Sequence, residues 1–179
     1  VGLRNFLVEG VSGTGKTSVC AELRRRGHHA VNGDTDLAYQ GDPATGEATV
    51  GEPIHGHHIW RVDDVRALAA DRSHRLTFFC GGSRNFLQFL DVFDEVFVLT
   101  VDAETLGQRL EVRGEDEFGG RPEERALVLR VHRTGEDTPA DGFVIDATAP
   151  LGVVVDEILE RAEAVARTAD GEEVPGRRP

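Results

Sequence analysis

The most specific chemistry in this chain sits in one short run. Gly10-Val11-Ser12-Gly13-Thr14-Gly15-Lys16-Thr17 has the spacing G-x-x-x-x-G-K-[ST]. Glycines at Gly10, Gly13 and Gly15 let successive backbone N–H groups turn inward as an anion nest. The start of a following helix adds partial positive charge, and Lys16 adds a full one. Together with Ser12 and Thr14 these groups suit the β- and γ-phosphates of a nucleotide, and the Thr17 hydroxyl lies where Mg²⁺ would sit between them. Lys16 is the only lysine; the other basic side chains, 20 minus 1, are all arginine. A compact ammonium kept at that one position suits a point-charge phosphate contact.

Such a loop needs a strand before it and a helix after it. Leu3 to Val8 is a short apolar run, and Val19, Cys20 and Leu23 share one face of the segment that follows. Further strands are predicted at His28–Val31, Leu76–Cys80, Val96–Val101 and Gly142–Asp146. The Val96–Val101 run, uninterrupted and rich in β-branched residues, is placed at the sheet centre. Helices are predicted around Val62–Ala69, from Asp102 as N-cap through Leu106 and Leu110, over Pro122–His132, and from Pro150 through Val165. Asn85 is expected to cap a short helix holding Phe86, Leu87, Phe89 and Leu90. Gly41–Gly56 is rich in turn formers and reads as a surface excursion. Strands alternating with helices imply an α/β fold with a parallel sheet covered on both faces.

Composition narrows the function classes. With 179 residues, 39% hydrophobic and 29% charged, the chain is expected to form one domain over residues 1–167, with 168–179 a disordered tail. Lys plus Arg is 20 against 32 Asp plus Glu, a net charge of −12 that disfavours nucleic-acid and anionic-membrane partners. Cys20 and Cys80 form no CxxC pair and no run suits a bilayer span, so a cytoplasmic location without a signal peptide is expected. Length and strand count argue against the larger motor and AAA-type ATPases, and a guanine-reading Asn-Lys-x-Asp is impossible with the single lysine already used.

The loop and the order of elements resemble the small P-loop kinases, the group of adenylate, shikimate and gluconate kinases, over nearly the whole chain. The resemblance implies a three-layer P-loop NTPase fold with a five-stranded parallel sheet and a mobile lid at about 113–125. It also implies ATP and Mg²⁺ as cofactors. Gly33-Asp34-Thr35-Asp36 is similar to the Asp-x-Asp of shikimate-type kinases. It implies that Asp34 faces the acceptor hydroxyl and the metal's water shell, with Asp36 beside it; both are equally at home as turn residues. Gly81-Gly82 is similar to the glycine run of shikimate kinase, whereas Gly81-x-x-Arg84 resembles the acceptor-phosphate arginine of nucleoside monophosphate kinases. Arg61, following Trp60 at the start of a helix, lies near the acceptor-carboxylate arginine of shikimate kinase. Trp60 itself reads as core packing or as a substrate contact.

Arg109 is expected to stack on adenine and Arg113 to reach phosphate, on a helix that resembles the family's run into its lid. Arg121-Pro122 is similar to the lid Arg-Pro of shikimate kinases, with Arg121 closing over the γ-phosphate. Arg130 and Arg133 are weaker candidates. Thr148 and Pro150 fall where the family wraps the adenine edge. His55, His57 and His58 read as a solvated loop, a polar rim over the acceptor, or a metal site. The function implied is transfer of the γ-phosphoryl group of ATP to a small-molecule hydroxyl acceptor. The alternatives are a nucleoside or nucleoside monophosphate acceptor, or an ATP-binding switch acting on a protein partner. Catalysis would then rest on Lys16, Asp34 and Arg121.

Overall fold

The computed structural model describes residues 3–136 and 138–169. Their strands are β1 (Arg4–Glu9), β2 (His29–Asn32), β3 (Ala38–Gln40), β4 (His58–Trp60), β5 (Leu76–Cys80), β6 (Glu95–Thr100) and β7 (Phe143–Asp146). The helices are α1 (Lys16–Arg25), a single turn α2 (Gly33–Asp36), α3 (Val62–Ala70), α4 (Ala103–Glu111), α5 (Pro122–Thr134) and α6 (Leu151–Ala169). Five strands form one parallel sheet in the order β2-β5-β1-β6-β7, and β3 pairs with β4 in a separate antiparallel ribbon.

Strand alternation builds the three layers. Phe6 and Val8 of β1, Phe78 and Cys80 of β5, and Phe97 and Leu99 of β6 share one buried cluster with Val19 and Leu23 of α1 and Ile158 and Ala162 of α6. Leu7, Val31 and Phe79 face the other way, into a second cluster with Trp60, Val65 and Phe89. The Phe6 ring stacks on Phe78 and Phe97 at centroid distances of 5.4 and 5.7 Å, so the middle of the sheet is locked by aromatic contacts. Cys20 and Cys80 are buried free thiols. The Asp102 side chain accepts from Thr105 N at 2.8 Å, the cap its position implied. Among the described residues no helix is long and apolar enough to cross a membrane.

Several expectations are corrected. The middle strand is β1, with β6 between β1 and β7, because an apolar run records burial on both faces but not rank within the sheet. The excursion between β2 and α3 is flanked by the β3–β4 ribbon, in register Gln40↔His58, and Trp60 ends β4 instead of opening a helix. Strands of three residues are too short to show a period. Asn85 caps nothing through its side chain: two 3₁₀ turns, Phe86–Gln88 and Leu90–Val92, follow it. Its amide instead brackets Trp60, accepting from Trp60 N and donating to Trp60 O, both at 3.0 Å. The final helix runs through Ala169, past the expected start of the tail at 168; the rest of that tail lies outside the described residues.

Candidate active site

The glycine-rich loop joins β1 to α1 at the carboxyl edge of the sheet, where open α/β folds place ligands. A Cβ on Gly10 would lie 2.7 Å from Leu99 O, and one on Gly13 would lie 2.7 Å from Leu106 Cδ1, with φ of 150° and 97°. Both positions therefore exclude other residues. Thr14 is buried and its hydroxyl donates to Val11 O at 2.9 Å, closing the loop on itself. Lys16 Nζ donates to Gly10 O at 2.5 Å, folding the ammonium across the nest. Arg109 donates to Gly13 O and Thr14 O at 3.2 and 3.3 Å and to Ala147 O at 2.8 Å, bracing the loop against the β7–α6 connection. Arg113 reaches Ser12 Oγ at 2.8 Å and also Phe118 O, joining the loop to the 113–121 segment.

Two cavities open on this loop. One, of about 530 Å³, is lined by Ser12 to Val19, Asp34, Arg109, Arg113, Ala147, Ala149, Leu151 and Val154. A second, of about 880 Å³, is lined by Gly10 to Ser12, Lys16, Asp34, Gln40, Glu52 to His55, His58, Gly82, Arg84, Glu115 to Phe118 and Arg121 among others. Ser12, Lys16, Asp34 and Glu117 line both. Thr17 is exposed in the wall of the smaller cavity, which Asp34 also lines.

Asp34 stands at the junction. Its Oδ1 accepts from Gly82 N at 3.0 Å and lies 3.2 Å from His58 Nε2. Desolvation pushes its pKa up, but the His58 hydrogen bond, the Lys16 ammonium and the Gly82 N–H outweigh this and hold it below the ordinary aspartate value. A Cβ on Gly81, whose φ is 155°, would lie 2.7 Å from Asp34 Oδ1 and from Trp60 Cζ2, so a glycine is required there, where this loop passes the carboxylate. Trp60 is fully buried beneath, stacked on Phe89 with ring centroids 5.6 Å apart. It supports the loops as core and does not form a substrate platform.

The remaining candidates divide. Arg84 and Arg121 line the larger cavity. Asp36 lines neither: it pairs with Arg24 at 3.2 Å and accepts from Asn32 N at 3.1 Å, tying the α2 turn to α1. Arg61 is likewise outside both, bound to Asp64 at 2.7 Å and to Asp36 O at 2.9 Å, because the β3–β4 ribbon ends just before it and turns its side chain outward. Thr148 closes a turn on Asp146, and Pro150 opens α6; Ala147 and Ala149 line the smaller cavity in their place. The three histidines diverge: His55 stacks on Phe118 with ring centroids 5.1 Å apart, His57 lies 3.4 Å from Thr49 Oγ1, and His58 meets Asp34. Among the described residues no group of three or more side chains is set to hold a metal.

Residues 7–130 match the family described as AAA domain. The chain belongs to that family. The expectation drawn from length and strand count set aside only the larger AAA-type ATPases and is not at odds with this match. No curated protein sequence matches the chain. Among solved structures, this AAA-domain chain is similar to a shikimate kinase from Acinetobacter baumannii in complex with shikimate, at a TM-score of 0.61 and 18% identity, covering 90% of this chain and 94% of that one. It is also similar to a sugar kinase from a Janibacter species (0.56, 20%, covering 92% and 98%) and to a gluconokinase from Sinorhizobium meliloti (0.55, 17%, covering 96% and 98%). At these identities the likeness is one of fold, and the fold is that of the small P-loop kinases.

The AAA-domain chain also holds a group that sequence reasoning passed over. Glu9, directly before the loop, is 1% exposed; its Oε1 accepts from Gly10 N at 3.2 Å, and its Oε2 is buried without a hydrogen-bond partner. Burial pushes its pKa up to about 7, although Lys16, Arg84 and the Gly10 N–H all pull it down. The available signal was a carboxylate at the end of an otherwise apolar strand.

Proposed function

We propose that this chain is an ATP- and Mg²⁺-dependent phosphotransferase that moves the γ-phosphoryl group to a hydroxyl of a small polyhydroxylated acceptor. One observation carries the reading: the phosphate-loop cavity and the larger cavity meet at Lys16 and Asp34. A phosphoryl group held by the loop then faces an ionised carboxylate across the junction. Phosphoryl transfer depends chiefly on positioning and electrostatics, and these residues supply both. The loop N–H groups and Lys16 hold the phosphates. Asp34 orients the acceptor hydroxyl and takes its proton as the acceptor oxygen bonds to phosphorus and ADP departs. Arg113 and Arg121 approach from the 113–121 segment to neutralise developing charge, and the His55–Phe118 stack closes that segment over the larger cavity, limiting water. Mg²⁺, held near Thr17 and Asp34, would draw charge from the phosphate oxygens.

The character of the larger cavity favours a hydroxylated acceptor over a phosphorylated or carboxylated one. Glu52, Glu115, Asp116, Glu117, Glu123 and Glu124 line it against Arg84 and Arg121, and Arg61 is turned away. Those six carboxylates outnumber the cations Lys16, Arg84 and Arg121 that share the wall, so its charge disfavours a further anion. The test is ³¹P NMR of ATP and Mg²⁺ with pooled sugars, polyol acids, nucleosides and nucleoside monophosphates, beside Lys16→Ala. A new phosphoester resonance lost in the variant supports the reading and assigns the acceptor pool. Saturable ATP binding with intact ATP in every pool overturns it and favours a nucleotide-controlled switch.

A further inference from the structure

Within the phosphotransferase reading on which it rests, we infer that His58 is a positioning residue of the reaction: its Nε2–H and the Gly82 N–H together clamp Oδ1 of Asp34, leaving Oδ2 to receive the acceptor proton. Both side chains stand about one-third exposed, 32% for His58 and 35% for Asp34, and both line the acceptor cavity. A carboxylate free to rotate would present either oxygen to solvent or substrate. Two donors on one oxygen remove that freedom, which is the source of the rate gain in a reaction governed by orientation.

The ring is held by structure at both ends of its strand. Gln40 pairs opposite His58 across the ribbon, His58 O accepts from Arg84 N at 2.9 Å, and Trp60 N, two residues on, bonds Asn85 Oδ1 at 3.0 Å and Ser83 Oγ at 3.1 Å. The loop after β5 therefore docks β4 and supplies the Gly82 donor, so both groups that hold Asp34 are set by one segment. An imidazole facing an ionised carboxylate through Nε2 must carry its proton there, because two lone pairs would otherwise oppose each other.

Two measurements test this. The first needs no turnover: long-range ¹H–¹⁵N spectra of the full chain, recorded at an alkaline pH where the ring shifts no longer move, report the His58 tautomer. Protonation at Nε2 supports the contact, and protonation at Nδ1 overturns it. The second is kinetic. His58→Leu is expected to lower kcat about 10- to 100-fold with the ATP KM unchanged, and His58→Gln, which returns an N–H to the same place, to recover most of it. In an Asp34→Asn background His58→Leu should cost little more, since both changes remove one device. A His58→Leu kcat within about twofold of wild type, or an undiminished effect in the Asp34→Asn background, overturns the role. A wild-type chain that phosphorylates no acceptor sinks the kinase reading, and the role with it, while the tautomer still reports on the contact.

Discussion

Replacing Glu9 by Gln should change how stability depends on pH, by an amount the structure fixes. Glu9 is 1% exposed, and burial raises its pKa from 4.5 to about 7. The folded state therefore holds a proton that the unfolded state has released across that interval. Since the slope of unfolding free energy with pH follows the protons bound in the unfolded state minus those bound in the native state, stability falls as pH rises from about 4.5 to about 7. The loss is absent below that window and complete above it. At 1.36 kcal/mol per pKa unit it reaches about 3 kcal/mol, a large part of the stability of an ordinary domain.

Glu9→Gln keeps the shape and removes the titration. Its amide places an N–H₂ or a carbonyl where Oε2 now lies buried without a partner, at a cost of about 1–2 kcal/mol at every pH. That constant cancels when the variant's deficit at pH 5 is compared with its gain at pH 8, and since pH 5 already lies inside the window the difference between the two chains should swing by about 2.5 kcal/mol in the variant's favour. Urea unfolding followed by Trp60 fluorescence reads it directly, because the only tryptophan is fully buried in the native state. Parallel stability profiles for the two chains between pH 5 and 8 would refute the reasoning, since every other titrating group is common to both.

Three further outcomes follow from particular contacts. ATP binding near pH 7 should take up a fraction of a proton, because the incoming phosphates engage Lys16, whose charge now lowers the Glu9 pKa; calorimetry in buffers of different ionisation enthalpy should show the uptake in wild type and not in Glu9→Gln. Arg61→Ala should leave the acceptor KM within about twofold of wild type while Arg84→Ala raises it several-fold, as only Arg84 lines the larger cavity; steady-state kinetics with the acceptor varied separates them. Asp102→Ala should cost about 1 kcal/mol in urea unfolding, by removing the oxygen that accepts from Thr105 N at 2.8 Å, without moving kcat.

The nucleotide side of the site was legible in the sequence because its parts are contiguous. Gly10 to Thr17 carry their own geometry, and the strand before and helix after follow from local apolar patterning. The wall of the larger cavity was legible only where it shares that contiguity, at Asp34 beside β2 and at Gly82 beside β5. Elsewhere analogy put Arg61 and Asp36 in the pocket, and the structure turns both outward into ion pairs with Asp64 and Arg24. What sequence position cannot carry is the register of a three-residue ribbon. His58 reaches Asp34 because it stands opposite Gln40; a slip of one residue would point Ile59 or His57 toward the cavity and His58 to the other face. Nothing within β3 or β4 has the length to fix that register. It is fixed from outside, by Ser83, Arg84 and Asn85 bonding the β4 backbone at His58 and Trp60. Asn85 looked like a helix cap because its neighbours are apolar, yet its amide spends both ends on Trp60. The residue that meets the Asp34 carboxylate and the residues that set that residue thus lie some 25 positions apart, as the His58 to Arg84 and Trp60 to Asn85 bonds record. Only the folded chain brings them into one device.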